Sequence, residues 1–266
     1  MNRLGFIGMG NMAQAIAKGF IDKKVIAGDH VYAYAPHLDK LKANAERIGF
    51  LPVESVTSLV SQCDTIIMAC KPYQIDGVLE DVRDLLGGKA LVSIAAGWDY
   101  DTYEPKLKEG TRVQFIMPNT PAMVLEGMTA GCYSNHEFLD GEKEILKQFF
   151  ESFGEFELVE EKLISAVICA SGSSPAYVYM FIEALADSAV RYGLPRDKAY
   201  KFAAQAVKGS AQMVLETGEH PGKLKDNVCS PAGTTIAAVE ALEQCGFRNA
   251  LFQASIACYR KAEKLD

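Results

Sequence analysis

Two stretches of this chain carry residue types and spacings that could do chemistry through the main chain. One is Gly8-Met9-Gly10-Asn11-Met12-Ala13, directly behind the apolar run 3–7 and ahead of a helical pattern that reaches about Asp22. This is G-x-G-x-x-A between a strand and a helix, the context in which the spacing has meaning. Gly8 permits a tight turn, Gly10 lets a pyrophosphate approach the backbone, and Ala13 lets helix and strand pack closely. The other stretch is Ser230-Pro231-Ala232-Gly233-Thr234-Thr235, which opens a helical spacing at Ile236, Val239 and Leu242. A helix start of this composition leaves several N–H groups without intrahelical partners and sets hydroxyls beside them. It can bind a small anion without Lys or Arg; on local chemistry alone, an ordinary capped helix is the alternative.

Together the two stretches point to hydride transfer, in which a dinucleotide carries the reactive atom and the protein orients it. The second half lacks the His/Asp or Lys/Asn pairs that manage protons in hydroxy-acid dehydrogenases. Its polar clusters, at 171–174 and 230–235, are rich in hydroxyls. They suit a small carboxylated substrate such as an already protonated imine, because a ketone would need a donor for its developing alkoxide. A ketone or hydroxy-acid reductase remains the rival reading, with Lys71 and Tyr177 as its only nearby donors. A non-catalytic dinucleotide sensor is the third.

Composition narrows the classes. With 266 residues the chain has room for roughly two domains, and 49% hydrophobic residues are ample for a core. Lys and Arg number 27 against 34 Asp and Glu, a net charge of −7 with no basic run, which argues against nucleic acid. The start runs straight into a strand pattern, so no signal peptide is expected, and no apolar run looks long enough to cross a bilayer. Seven scattered Cys without C-x-x-C read as reduced thiols of a cytoplasmic protein. The four His (30, 37, 136 and 220) lack metal-ligand spacing, so no metal is expected.

The elements that must position these residues alternate in the first half. Strands are predicted at 3–7, 30–35, 65–69, 90–94, 112–117, 128–133 and 155–159, with one helix running from behind Ala13 to about Asp22 and others at 41–48, 55–62, 75–86 and 141–152. This is an α/β pattern of the doubly wound, Rossmann-like kind. The second predicted strand ends Tyr34-Ala35-Pro36-His37-Leu38-Asp39-Lys40 with no acid at its tip. An acid there would repel a 2′-phosphate, so NADP(H) is preferred with NAD(H) possible; His37 and Lys40 are candidates to hold the phosphate. Lys71 stands at the carboxyl edge of the sheet, where open α/β sheets bind ligands. Ala95-Ala96-Gly97 would admit a flat ring. Asn119, fixed between two prolines, carries an amide suited to a nicotinamide carboxamide. After Lys162 only helical periods remain, at 163–170, 176–192, 197–216, 235–244 and 247–264, broken at 171–175 and at a turn 217–222. Their alanine-rich faces predict pairing with a second copy. The domains are therefore set at 1–160, dinucleotide-binding, and 161–266, helical.

The segment Leu224-Lys225-Asp226-Asn227-Val228-Cys229-Ser230-Pro231-Ala232-Gly233-Thr234-Thr235 resembles the signature of pyrroline-5-carboxylate reductases. The likeness extends through Ala69-Cys70-Lys71-Pro72, Met117-Pro118-Asn119-Thr120-Pro121 and Gly172-Ser173-Ser174-Pro175. It implies reduction of 1-pyrroline-5-carboxylate to L-proline with NAD(P)H, the last step of proline biosynthesis, by a homodimer or larger homo-oligomer. It also implies that Ile7, Gly8, Met9, Gly10, Asn11 and Met12 line the cofactor, with Ala35, Pro36 and His37 beside its adenosine end. Ala69, Cys70, Lys71, Pro72, Ala95 and, from the helical half, Asn227 would complete that lining. Ser230, Gly233, Thr234 and Thr235 would hold the substrate, with Glu161 near it and Thr235 as the group bonded to the ring nitrogen.

Overall fold

The computed structural model describes residues 3–133, 138 and 140–265; the expectation for His136 lies outside them. The chain divides into two compact units. One comprises residues up to Gly172 with Ala262–Leu265, and the other Ser173–Lys261.

The first unit is an eight-stranded sheet. Its strands are β1 (Leu4–Ile7), β2 (Val31–Tyr34), β3 (Leu51–Pro52), β4 (Thr65–Met68), β5 (Ala90–Ser93), β6 (Arg112–Met117), β7 (Gly127–Tyr133) and β8 (Gly154–Leu158). The order is β3-β2-β1-β4-β5-β6-β7-β8, and every pair is parallel except β6 with β7. Strands buried on both faces need cover on both, and their alternation supplies it. Phe6 and Ile67 face a layer built on α1 (Asn11–Asp22), α2 (Leu38–Ile48) and residues 146–153, whereas Ile66 and Met68 face α3 (Val56–Gln62) and α4 (Ile75–Val82). Phe20 is fully buried, with its ring 4.7 Å from Phe149 and 5.8 Å from Phe153. A short helix α5 (Tyr100–Tyr103) follows β5, and α6 (Asp140–Glu151) precedes β8. Within α6, Glu142 holds the half-buried Arg112 by a two-pronged ion pair at 2.6 and 2.9 Å.

The unit closes with α7 (Ile164–Val167), which runs into a π-helical turn, Ile168–Gly172. The second unit holds α8 (Ser174–Arg191), α9 (Arg196–Thr217), α10 (Pro221–Val228), α11 (Thr234–Gln244) and α12 (Phe247–Ala262). Its buried core is small: Ala186, Ala199 and Ala203, where α8 packs along α9. Large apolar side chains elsewhere are open, among them Met180 at 68%, Phe202 at 67%, Leu215 at 76% and Phe252 at 69%.

Three expectations are corrected. The helical run Glu161–Arg191 is, by length and composition alone, long and apolar enough to cross a bilayer. The Pro221-Gly222 turn is instead the first turn of α10. Pro221 sits where no N–H is needed, and the His220 ring nitrogen Nδ1 accepts from Gly222 N at 3.0 Å. The predicted coil between α2 and α3 contains β3, too short to leave a periodic signal.

Phe20→Ala should lower stability by about 3–5 kcal/mol, a large ring removed from a packed core. The single Trp98, 8% exposed and in the same unit, reports it as a lower urea midpoint with an unchanged slope.

Candidate active site

The order β3-β2-β1-β4 places the topological switch between β1 and β4, and a crevice opens there at the carboxyl ends of the strands. A cleft of about 290 Å3 occupies it. Ile7, Gly8, Met9 and Gly10 form one wall, Tyr34 to His37 the end, and Ala69, Cys70 and Lys71 the opposite wall. The walls meet at Gly8. Its φ is +97°, and a Cβ there would lie 2.7 Å from Ala69 O and Cys70 N. Only glycine fits both demands. Gly10, by contrast, has φ −74° and nothing within 4 Å of an added Cβ, so its bareness faces open space.

Gly10 caps α1 without a side-chain bond, and no acid stands in the first turn. The first intrahelical bond is Gln14 N to Gly10 O, which leaves the N–H groups of Asn11, Met12 and Ala13 outside the helix ladder, with the positive end of the dipole behind them. Met9 is buried in the core although it borders the cleft, whereas Met12 packs against the core and, like Asn11, does not line the cleft. The cleft fits a pyrophosphate on these grounds. At its other end α2 starts behind His37, again with no side-chain cap. His37, Lys40 and Asn44 line the cleft from one helix face. Asn44 was not anticipated from sequence, although its spacing of four from Lys40 was a signal. Arg47, next on that stripe, bonds Gln14 Oε1 at 2.6 Å and Asn44 Oδ1 at 3.3 Å. Gln14 in turn donates to Met9 O at 3.0 Å and steadies the glycine turn. The Cys70 thiol is pushed up to about 11 by burial and stays neutral beside the cleft.

Other expected residues lie near the same sheet edge without lining the cleft. Pro72 opens a one-turn helix, Pro72–Gln74, closed by Gln74 Oε1 accepting from Lys71 N at 3.1 Å. Ala95 is buried, and its N–H donates to Ser93 Oγ, which lies 2.9 Å from the Tyr103 hydroxyl. Burial pushes the Tyr103 phenol well up, so it acts as a strut for this loop. Asn119 has both ends of its amide engaged: Oδ1 accepts from Met128 N at 2.9 Å, and Nδ2 donates to Ser171 O at 3.1 Å. Glu161 belongs to the first unit, where its Oε1 accepts from Tyr100 N at 2.9 Å at the start of α5.

In the second unit Ser230 O accepts from Gly233 N at 3.0 Å, a tight turn with Ala232 at φ 53°. The turn delivers Gly233 as the cap of α11, without a side-chain cap bond and without an acid in the first turn. A Cβ on Gly233 would run into the Ser230 hydroxyl. Ser230, Thr234 and Thr235 thus stand at or just before a helix start that has no side-chain cap. Asn227 is exposed on α10, one turn earlier in the chain.

Residues 161–265 match the family described as pyrroline-5-carboxylate reductase dimerisation, and residues 3–97 the family described as NADP oxidoreductase coenzyme F420-dependent. The pyrroline-5-carboxylate reductase of Escherichia coli (strain K12) is 46% identical over 264 residues, covering 99% of this chain and 98% of that protein. The chain belongs to the pyrroline-5-carboxylate reductases. Members of this family reduce 1-pyrroline-5-carboxylate to proline. Among solved structures, the pyrroline-5-carboxylate reductase of Coxiella burnetii superposes with a TM-score of 0.91 at 30% identity, covering 100% of this chain and 98% of that one. The Plasmodium falciparum pyrroline carboxylate reductase with NADP bound gives 0.89 at 30% identity, covering 98% and 97%. The dimerisation family matched by the helical half accords with its uncovered apolar surface.

Gly8 and Gly10 should separate in a binding experiment. Gly10→Ala leaves thermal stability nearly unchanged, because its Cβ meets no protein atom, yet weakens NADPH binding about tenfold or more by filling the pyrophosphate approach. Gly8→Ala lowers both. Fluorescence titration beside a thermal melt distinguishes them, and a Gly10→Ala chain that binds NADPH normally would remove the pyrophosphate from this turn.

Proposed function

We propose that this chain reduces 1-pyrroline-5-carboxylate to L-proline with NADPH as preferred hydride donor and NADH as a weaker one. Residues 1–160 would carry the dinucleotide and residues 161–266 the substrate. The observation that carries the reading is the pairing of two uncapped helix starts of different character. That of α1 opens on a glycine turn in a cleft, and that of α11 follows Ser230 and Gly233 with Thr234 and Thr235 as its first residues. The bound cofactor supplies a hydride from its nicotinamide ring.

The protein's residues do the rest by orientation. The N–H groups of Asn11, Met12 and Ala13 hold the pyrophosphate, while Ile7, Ala69, Cys70, Lys71, Pro72 and Ala95 bound the remainder of the dinucleotide. Ala35, Pro36 and His37, with Lys40, meet the 2′-phosphate at the start of α2; Asn227 completes the lining from the helical half. The N–H groups of Thr234 and Thr235 and the Ser230 hydroxyl take the substrate carboxylate behind Gly233. The Thr235 hydroxyl bonds the ring nitrogen, and Glu161 adds a negative charge near the cationic imine. An iminium carbon accepts hydride without a strong general acid, which agrees with the absence of an acid–base pair at the α11 corner.

The same reading makes the enzyme a homodimer or larger homo-oligomer without nucleic-acid or membrane partners. The match of residues 161–265 to a dimerisation family supports this over insertion in a bilayer. Seven free cysteines support the cytoplasm as its location.

Thr235→Ala should lower turnover of the imine about 10- to 100-fold, the worth of one hydrogen bond to a charged group, with the NADPH dissociation constant unchanged. Unaltered turnover would withdraw the assignment of Thr235. Lys40→Ala should raise KM for NADPH several-fold while leaving KM for NADH alone; side-by-side oxidation assays check it, and equal effects on both would place Lys40 away from the 2′-phosphate.

A further inference from the structure

We infer that Asn119 serves the reaction as a positioning residue: its amide replaces a main-chain donor that Pro175 removes, and so fixes the π-helical turn before α8. The inference rests on the proposed function in one respect, that the carboxyl edge of the sheet is where the hydride is delivered.

The argument begins with one carbonyl. In an α-helix Ser171 O would accept from the N–H of residue 175, and in a π-helix from that of residue 176. Residue 175 is proline and has no N–H. The N–H of Ala176 goes to Ser173 O at 3.1 Å. Both intrahelical solutions are therefore closed to Ser171 O, and Asn119 Nδ2 reaches it at 3.1 Å across 52 residues of sequence. The other end of the same amide accepts from Met128 N at 2.9 Å. Asn119 is 8% exposed, so water does not replace either bond readily. One side chain thus ties together the end of β6, the start of β7 and the turn Ile168–Gly172.

The placement matters because of what the turn carries. Ser171 and Gly172 begin the hydroxyl-rich run 171–174, and Asn119 binds them to the strand end that shares its edge with Ala95. A π-helical turn within a helix is rare and frequently marks a functional site. Here a specific side chain stabilises it from outside. An asparagine engaged at both ends serves less well as a cofactor contact than as a clasp.

The test uses the full-length chain and three variants: Asn119→Ala, Pro175→Ala and the two combined. Turnover of 1-pyrroline-5-carboxylate, the NADPH dissociation constant and the melting temperature are measured for each. Asn119→Ala should lower kcat about tenfold and leave the NADPH dissociation constant within about twofold. The double variant, in which residue 175 again offers an N–H to Ser171 O, should recover most of the lost kcat. If Asn119→Ala does not fold, Asn119→Asp keeps the acceptor for Met128 N, loses only the donor, and should be rescued by Pro175→Ala in the same way. Weakened NADPH binding that Pro175→Ala leaves uncorrected would make Asn119 a cofactor contact and overturn the inference. A lowered melting temperature with unchanged kcat and KM would overturn it too, leaving the clasp purely architectural. A wild-type chain inactive on the imine would remove the functional reading as well, whereas an active one without rescue removes this role alone.

Discussion

An α-helix cannot pair its own first N–H groups, and the candidate sites of this chain are built on that deficit. At three helix starts a side chain settles it. Ser55 accepts from Ser58 N at the start of α3, Asp99 from Thr102 N at α5, and His220 from Gly222 N at α10. The starts of α1 and α11 are different. Each has a glycine at the cap, no side-chain bond and no acid in the first turn. A bare, positive helix end is stable enough where water reaches it, and it is strongest where an anion displaces that water. Both ligand classes expected of the family, a dinucleotide and an amino-acid-like carboxylate, present such an anion.

Backbone geometry keeps these ends bare. At α1 the turn works because Gly8 lets the β1 and β4 loops approach closer than any side chain would allow, so the cleft wall is main chain on both sides. At α11 the same end is reached by another route: Ala232 adopts a left-handed φ of 53°, a strain of about 1 kcal/mol, and swings Gly233 under the Ser230 hydroxyl. Strain of this kind persists where surrounding bonds hold it, here the turn bond from Gly233 N to Ser230 O.

Much of this was legible in the residues themselves, because the informative signals were local. A glycine spacing between a strand and a helix declared the cleft, and the parallel strands declared themselves as short apolar runs bounded by turns. What escaped had other causes. Pro221-Gly222 looks like a stop in sequence and proved to be a start, since proline suits the first turn of a helix as well as it ends one. Residues 51–52 form a strand only because β2 lies beside them. Asn44 lines the cleft through a helix face, and Arg47 braces it while bonding Gln14 on another helix. Asn119 looked available because its partners, Met128 N and Ser171 O, are main-chain groups 9 and 52 residues away that no sequence pattern marks.

The helical unit raises the remaining question, how a domain with three buried alanines holds its shape. Small side chains let α8 and α9 approach closely, but they bury little area per contact. Each exposed Leu, Phe or Met would contribute about 1.5–3 kcal/mol if covered, and Met180, Phe202, Leu215 and Phe252 alone approach the 5–15 kcal/mol that separates a typical domain from its unfolded state. A partner surface that covered them would couple association to the folding of this half. Such cover would help hold the strained corner at 230–235, which the turn bond from Gly233 N to Ser230 O braces.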